Sequence, residues 1–400
     1  MSAELLLLRS PSANRVFTAA AGPLSVREAQ WVLGSHAGAP ADVHEHSVAG
    51  VDYLRILAED TDLVRSLLAM LSAPFALFAP HPSADDGGET LLRPVALPQA
   101  MRHGSELETT LRYPGKTNEQ FTAMLLNLAA ALSSRRAGLL RGDLAVLDPT
   151  CGRGTTLNRA LRLGLSPTGA DLDRKDIDAY RTFLAAWAKQ HRLPHTQSSG
   201  GLPTTGTGRG AKSAGSRWEL DLAADRTAQR AGDVQKVRLL TCDTADLGAV
   251  LPYRSVDALV ADLPYGVQHG ARTEGWQRSP LELLERAVPA WRALLRTGGG
   301  IALALNRRTA PYTRVREILE AHDLHVLSAD GEFRHRVDQS IDRDVVLAVP
   351  RDHPQLAMLR TLTVTATAED EAGDAEHAPH VTHQPARAPE HGPRERTPHE

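Results

Sequence analysis

Between about residues 112 and 350 the chain alternates short apolar runs with segments of helical period, and this alternation constrains the fold more than anything else in it. The β-like runs fall at 144–147, 166–170, 237–241, 258–261, 300–305 and 344–349. Helical patterns fill 118–132, 155–163, 174–189, 281–295 and 312–322. Strands separated by helices are joined by crossovers, and crossovers build a mostly parallel sheet covered on its faces. An α/β, Rossmann-like domain over 111–350 follows.

Residues 1–110 read as a small α+β domain. They hold a leucine run at 5–8, an amphipathic stretch at 26–33 and a helix over 60–71, with Leu63, Leu67, Leu68 and Leu71 on one face and Thr61 placed to cap it. The stretch 81–90 is a loop by composition. From 194 to 216 the chain turns Gly/Ser/Thr-rich, which cannot bury a core, so a flexible surface insertion is expected. Residues 351–400 are expected to be mostly a disordered tail, Pro-, His- and Glu-rich beyond about 367. Its histidines, His377, His380, His383, His391 and His399, read as adventitious, and no metal centre is expected.

Composition narrows the class further. No run approaches the roughly 20 apolar residues of a membrane span. The leucines at 5–8 lack the basic flank and length of a secretory leader, so a cytoplasmic setting is expected. The two cysteines, Cys151 and Cys242, exclude a disulfide scaffold or a Cys-built zinc site. A net charge of −3 carries no bulk signal for nucleic acid. That figure averages unlike parts: residues 1–110 carry about −6, and residues 268–317 about +5, through Arg272, Arg278, Arg286, Arg292, Arg296, Arg307, Arg308, Arg314 and Arg316. The oligomeric state is left open.

Four strand candidates end in acids. The first continues Asp148-Pro149-Thr150-Cys151-Gly152-Arg153-Gly154-Thr155, an apolar strand, a glycine turn and a helix start. Gly152 and Gly154 remove the Cβ atoms that would keep the backbone away from a ligand at the carboxyl edge of a sheet. The turn is neither GxGxxG nor a P-loop. The second strand ends at Asp171, where Rossmann-like sites hold a ribose hydroxyl pair; Asp173 is better suited to capping the next helix. The third reaches Asp243, positioned to accept from an adenine amino group. The fourth runs into Asp262-Leu263-Pro264-Tyr265-Gly266.

The fourth motif resembles the [DNS]-[PL]-P-[YFW] motif of the S-adenosylmethionine-dependent amino-methyltransferases. An exocyclic amine is a poor nucleophile because its lone pair is delocalised into the ring. A carboxylate (Asp262) and a backbone carbonyl (Leu263, aimed by Pro264) can accept its two hydrogens, while an aromatic ring (Tyr265) stacks on the base. The segment Tyr113-Pro114-Gly115-Lys116-Thr117 just upstream of the glycine turn narrows the likeness. It is similar to the [YH]-P-G-K segment of the THUMP-carrying RNA guanosine N2-methyltransferases, as are the Asp-Leu-Pro-Tyr-Gly form and Arg334-His335-Arg336-Val337.

The resemblance, over about 112–350, implies a seven-stranded, mostly parallel sheet and S-adenosyl-L-methionine as cofactor. It places that cofactor over Asp148, Pro149, Thr150, Cys151, Gly152, Gly154 and Thr155, with Asp171 at the ribose and Asp243 at the adenine. It also implies an RNA substrate, first of all guanine N2 in tRNA, flipped into the site. The acidic N-terminal region is then a shortened or divergent THUMP-like module, or a separate docking domain. Two alternatives stand beside this: a DNA adenine-N6 or cytosine-N4 methyltransferase, and a non-catalytic protein that binds S-adenosylmethionine or RNA.

Overall fold

The computed structural model describes residues 2–12, 14–81, 91–205, 212–213, 215–264 and 279–363. The N-terminal part is a five-stranded antiparallel sheet with two helices. Its elements are β1 (Ser2–Arg9), α1 (Arg15–Ala37), β2 (Asp42–Val48), β3 (Val51–Glu59), α2 (Asp62–Met70), β4 (Pro74–His81) and β5 (Leu91–Val95), in the order β2-β3-β1-β4-β5. The leucine run is the middle strand, with Leu5 and Leu7 packed among Leu54, Ile56, Leu67, Leu68 and Leu77. Thr61 caps α2 by accepting from the Val64 amide at 3.2 Å.

Helix α3 (Glu119–Leu132) joins the two parts. Asn118 caps it through the Phe121 amide at 3.0 Å, and every residue from Phe121 to Leu132 is buried. The helix has no solvent face because it lies between α1 and the main sheet. Phe17, Leu24 and Trp31 of α1 share one cluster with Phe121, Met124, Leu125 and Leu128. Each such side chain contributes about 1.5–3 kcal/mol when fully buried. Polar links cross the same seam. Glu28 accepts from the Ser72 amide at 2.9 Å and the Asn127 side chain at 2.7 Å, and Trp31 Nε1 donates to Glu332 at 2.7 Å. The regions 1–110 and 111–350 therefore meet over a buried seam.

The main sheet contains ten strands among the described residues. They are β6 (Val146–Asp148), β7 (Thr168–Asp171), β8 (His195–Gly201), β9 (Ser216–Leu222), β10 (Gln235–Thr241), β11 (Val256–Asp262), β12 (Leu295–Asn306), β13 (Leu324–Val326), β14 (His335–Arg336) and β15 (Asp342–Pro350). The order is β13-β15-β12-β11-β6-β7-β10-β9-β8, with β14 on β15. The central five, β12 to β10, are parallel; β9 and β15 run against their neighbours. Helices α4 (Thr155–Arg162), α5 (Arg174–Gln190), α6 (Pro280–Leu294) and α7 (Tyr312–Ala321) alternate with the strands as expected.

The seven strands implied by the resemblance are thus exceeded by β8, β9 and β14. Where a flexible insertion over 194–216 is expected, residues 195–201 form a strand that pairs with 216–222 along its whole length, while 206–211 and 214 lie outside the described residues. In β9 every second residue, Trp218, Leu220 and Leu222, is buried against Ile177, Leu184 and Trp187 of α5. The polar β8 needs no core of its own, because the backbone ladder holds it as an edge strand. The ordered chain also runs past 351, since α8 (Leu356–Thr363) buries Leu359 in the main core. Residues 364–400 and 82–90 lie outside the described residues.

From β6 the chain winds through α4 to β7 on one side; from β11 it winds through α6 to β12 on the other. The connections diverge between β6 and β11. In open α/β sheets such a switch point leaves a crevice at the carboxyl ends of the strands, where ligands bind.

Candidate active site at the switch point

Asp148, Asp171 and Asp262 end β6, β7 and β11, and Asp243 lies two residues past the end of β10; the four strands are adjacent, so the fold brings these acids to one edge. Asp148 is buried and accepts from the Thr150 amide at 3.1 Å. Burial pushes its carboxyl up to about 7, with a further push from the charges of Asp171 and Asp262. Beside it the Thr150 hydroxyl is buried without a partner.

The glycines of the turn have different tasks. Gly152 has φ +49°, and a Cβ there would meet only open space. Gly154, at φ +77°, precedes the first turn of α4, and a Cβ there would stand 2.5 Å from the Tyr180 ring. Asp171 clasps the turn: one oxygen accepts from the Gly152 amide at 2.8 Å, the other from the Asp173 amide at 2.8 Å. Burial raises its carboxyl, and these two amides lower it. Asp173 caps α5 through the Lys175 amide at 2.8 Å. Asp243 accepts from the Ala245 amide at 3.1 Å and pairs with Arg286 at 2.6 Å. Pro149 and Thr155 frame the turn, and Cys151 is buried beneath it. Burial raises both thiols, Cys242 to about 12, so neither is an activated nucleophile.

Across the crevice, Asp262 accepts from the Thr117 hydroxyl at 2.5 Å. Leu263 is buried, and its amide donates to the Ala304 carbonyl at 3.0 Å, which ties the turn to β12. Pro264 follows on the surface; Tyr265, Arg272 and Arg278 lie outside the described residues.

Thr117 is brought to the candidate site only by the fold: the motif places its segment upstream of the glycine turn, but nothing in the spacing shows that it folds back over a strand end 145 residues away. The same segment places the Tyr113 hydroxyl 3.1 Å from that of Thr155, with the Arg153 guanidinium 4.8 Å over the Tyr113 ring. Lys116 anchors it on the Glu108 carbonyl and the Glu119 carboxylate, both at 2.5 Å. The segment thus bridges the two sides of the crevice.

The basic surplus of 268–317 is largely spent on internal ion pairs. Arg286 pairs with Asp243, Arg292 with Asp352 and Arg296 with the buried Asp257, at 2.6–2.9 Å. Arg307 pairs with Asp330 and Asp344, and Arg314 with Glu317. Arg308 and Arg316 pair with no acid among the described residues. Among those residues there is also no group of three or more potential metal ligands, and no helix is long and apolar enough to cross a membrane.

No protein-family model matches the sequence, and no curated protein matches it. Several solved structures are similar. TrmN from Thermus thermophilus is 17% identical, with 78% of this chain and 60% of TrmN covered and a TM-score of 0.35. The 1,6-didemethyltoxoflavin-N1-methyltransferase of Burkholderia thailandensis, solved with 1,6-didemethyltoxoflavin and S-adenosylhomocysteine, is 16% identical over 56% of this chain and 78% of its own, at 0.31. An rRNA methylase from Streptococcus thermophilus is 11% identical over 56% and 92%, at 0.30. The chain spans less than two thirds of TrmN's length, and at these scores none of the likenesses decides the function. What the fold and the crevice themselves define is an open α/β protein with an acid-lined crevice at its switch point.

Proposed function

We propose that this chain is an S-adenosyl-L-methionine-dependent methyltransferase acting on an exocyclic base amine of RNA, with guanine N2 in tRNA as the first candidate. The observation that carries the reading is the pairing, across one switch point, of the Gly152/Gly154 turn with the Thr117-held Asp262. The residues present suit the cofactor. The unpartnered Thr150 hydroxyl and the open space at Gly152 leave polar and steric room at the turn, and Asp148, Asp171 and Asp243 offer acceptors for its ammonium, ribose and adenine. The cofactor would supply an electrophilic methyl group on a sulfonium.

This chain's own residues would do the rest. Asp262 and the Leu263 carbonyl would accept the two amine hydrogens, turning the nitrogen lone pair out of the ring plane. Tyr265 would stack on the base. Thr117 would hold the Asp262 carboxylate in one orientation. Placement rather than strong base chemistry dominates such a displacement.

The test is mass spectrometry of nucleosides after incubation of the full chain with S-adenosylmethionine and unmodified tRNA or genomic DNA. N2-methylguanosine is the expected product. N6-methyladenine or N4-methylcytosine in DNA would install the DNA alternative. S-adenosylhomocysteine binding with no product on either substrate would favour the non-catalytic one.

Asp148 makes a separate prediction. Its carboxyl is raised from an ordinary 3.8 to about 7, so the stability it contributes is fully present below about pH 4 and is lost as pH rises through 7. A ligand ammonium beside it reverses this preference, because it needs the carboxylate. Affinity for S-adenosylhomocysteine is therefore expected to rise about tenfold from pH 6 to pH 8, and to be weak and flat in Asp148→Asn. Calorimetry at the two pH values decides; equal wild-type affinities would remove Asp148 from the ligand.

A further inference from the structure

The sheet edge that carries Asp262 continues past β12. Ala304 of β12 lies opposite Asp262, Arg343 of β15 opposite Asn306, and His335 of β14 opposite Arg343. Neighbouring strands stand about 4.8 Å apart, so the end of β12 lies about 5 Å from the strand of Asp262 and β14 about 14 Å. A cleft of about 340 Å³ occupies this stretch of the edge, lined by Arg308, Arg334, His335, Arg336 and Asp342.

Two local devices mount the arginines. Side chains alternate along extended backbone, so Arg334 and Arg336 emerge on one side of β14 and His335 on the other. Both arginines are accordingly exposed, while His335 is buried against Phe121 and Phe17 and anchors the hairpin in the core. Asn306, itself buried, sets the turn that carries Arg308 against the start of β15. Its side chain accepts from the Arg308 and Asp342 amides and donates to the Ser340 carbonyl, all at 3.1–3.2 Å.

Three guanidinium groups and one carboxylate line the cleft, so its charge is positive. The carboxylate is already engaged: Asp342 accepts from Arg334 Nε at 3.1 Å and Nη2 at 2.9 Å. These bonds hold its carboxyl below the ordinary range, and the charge of Arg308 adds to the effect. The nearby Asp338 carboxylate is engaged in its own turn, accepting from the Ser340 amide and hydroxyl and the Ile341 amide at 2.6–2.9 Å. Arg308 pairs with no acid among the described residues, and Arg336 gives only its Nε, to the Asp338 carbonyl at 3.1 Å. Two exposed guanidinium forks are left facing solvent, in a geometry that suits phosphate oxygens.

We infer that this cleft is a phosphodiester subsite, in which Arg308 and Arg336 hold the backbone of a nucleic-acid strand whose target base reaches Asp262. Every nucleotide brings a phosphate, so a base held at Asp262 carries anionic groups into the neighbourhood of β12 and β14. An acidic polypeptide has no such tie to the strand of Asp262. The subsite reads charge and not sequence, and it takes RNA and DNA alike. The inference rests on the reading of the chain as a nucleic-acid methyltransferase. It adds the path of the strand, along the edge from β11 over β12 and β15 to β14.

Fluorescence anisotropy of the full chain tests it, with labelled single-stranded RNA and DNA of about 15 nucleotides and a polyglutamate peptide of similar length, over a range of salt. Arg308→Ala and Arg336→Ala are each expected to weaken both nucleic acids about fivefold, the upper scale of one exposed ion pair. Each should also reduce the slope of log affinity against log salt by about 0.7, one phosphate contact of a single strand. Arg230→Ala is the control. It removes one exposed charge from the short helix 226–231 that precedes β10, away from the carboxyl edge, and should change neither quantity. Both cleft arginines are exposed, so an unaltered urea midpoint accompanies these effects. A wild type that binds neither strand, wild-type slopes in both cleft variants, or an equal effect of Arg230→Ala would overturn the inference. So would polyglutamate bound as tightly as nucleic acid and lost with the same variants, which would make the cleft a site for acidic protein. In a methyl-transfer assay the cleft variants should raise KM and leave kcat unchanged. Nucleic-acid methylation with a wild-type KM in both variants would sink this inference alone. Arginine-dependent strand binding without any methyl transfer would sink only the reading beneath it.

Discussion

Asp262→Asn is expected to lower methyl transfer by about a thousandfold while leaving S-adenosylhomocysteine affinity within about threefold. Asparagine keeps the size of the side chain but puts an amide NH₂ in place of one of two acceptor oxygens, so with Thr117 holding the remaining oxygen the contact to the reacting amine becomes repulsive. Losing a single pre-aligned electrostatic partner costs about 10²–10³ in rate. Cofactor affinity should survive because Asp262 sits on β11, across the crevice from the β6 turn. Thr117→Val is the graded comparison. It removes the 2.5 Å hydrogen bond to Asp262 but not the carboxylate, so a loss of about tenfold in the same assay is expected. Single-turnover transfer from labelled S-adenosylmethionine, with calorimetry alongside, measures both. Wild-type turnover in Asp262→Asn would remove it from the chemistry.

Gly154→Ala is expected to destabilise the fold by about 2–5 kcal/mol, the sum of a left-handed backbone cost and overpacking. The added methyl would stand 2.5 Å from the Tyr180 ring, which is fully buried and whose hydroxyl donates to Asn158 at 2.9 Å. The ring cannot give way without breaking that bond, so either α4 or α5 must move. Gly152→Ala isolates the other function of the turn. Its φ of +49° carries the backbone cost alone, because its Cβ would project into open space. If that space receives a ligand, Gly152→Ala loses S-adenosylhomocysteine affinity with a urea midpoint only slightly lowered, whereas Gly154→Ala loses the midpoint first. Equal effects of the two substitutions on both measurements would refute this division of labour.

The central strands were legible because burial on both faces makes them apolar at nearly every position, and β11 is buried from Val256 through Ala261. Helix starts were legible where the cap is local: Asn118 and Asp173 each accept from an amide within three residues. The edge strand β8 was not, because its stability comes from a ladder with β9, formed by residues 15 to 27 positions further on, and a polar edge leaves no apolar pattern.

The same division holds at the site. Strand-end acids and turn glycines are local necessities of a backbone that must turn sharply beside a ligand, so the sequence by itself determined Asp148, Gly152, Gly154, Asp171 and Asp262 as the residues to examine. Which neighbours hold them was decided only by tertiary structure. Thr117 reaches Asp262 across 145 residues, Arg286 claims Asp243 across 43, and His335 on β14 packs against Phe17 and Phe121 from the starts of α1 and α3. Hydrogen bonds and ring contacts depend on separations of a few ångströms in space, and those are set by the packing of the whole sheet and its helices.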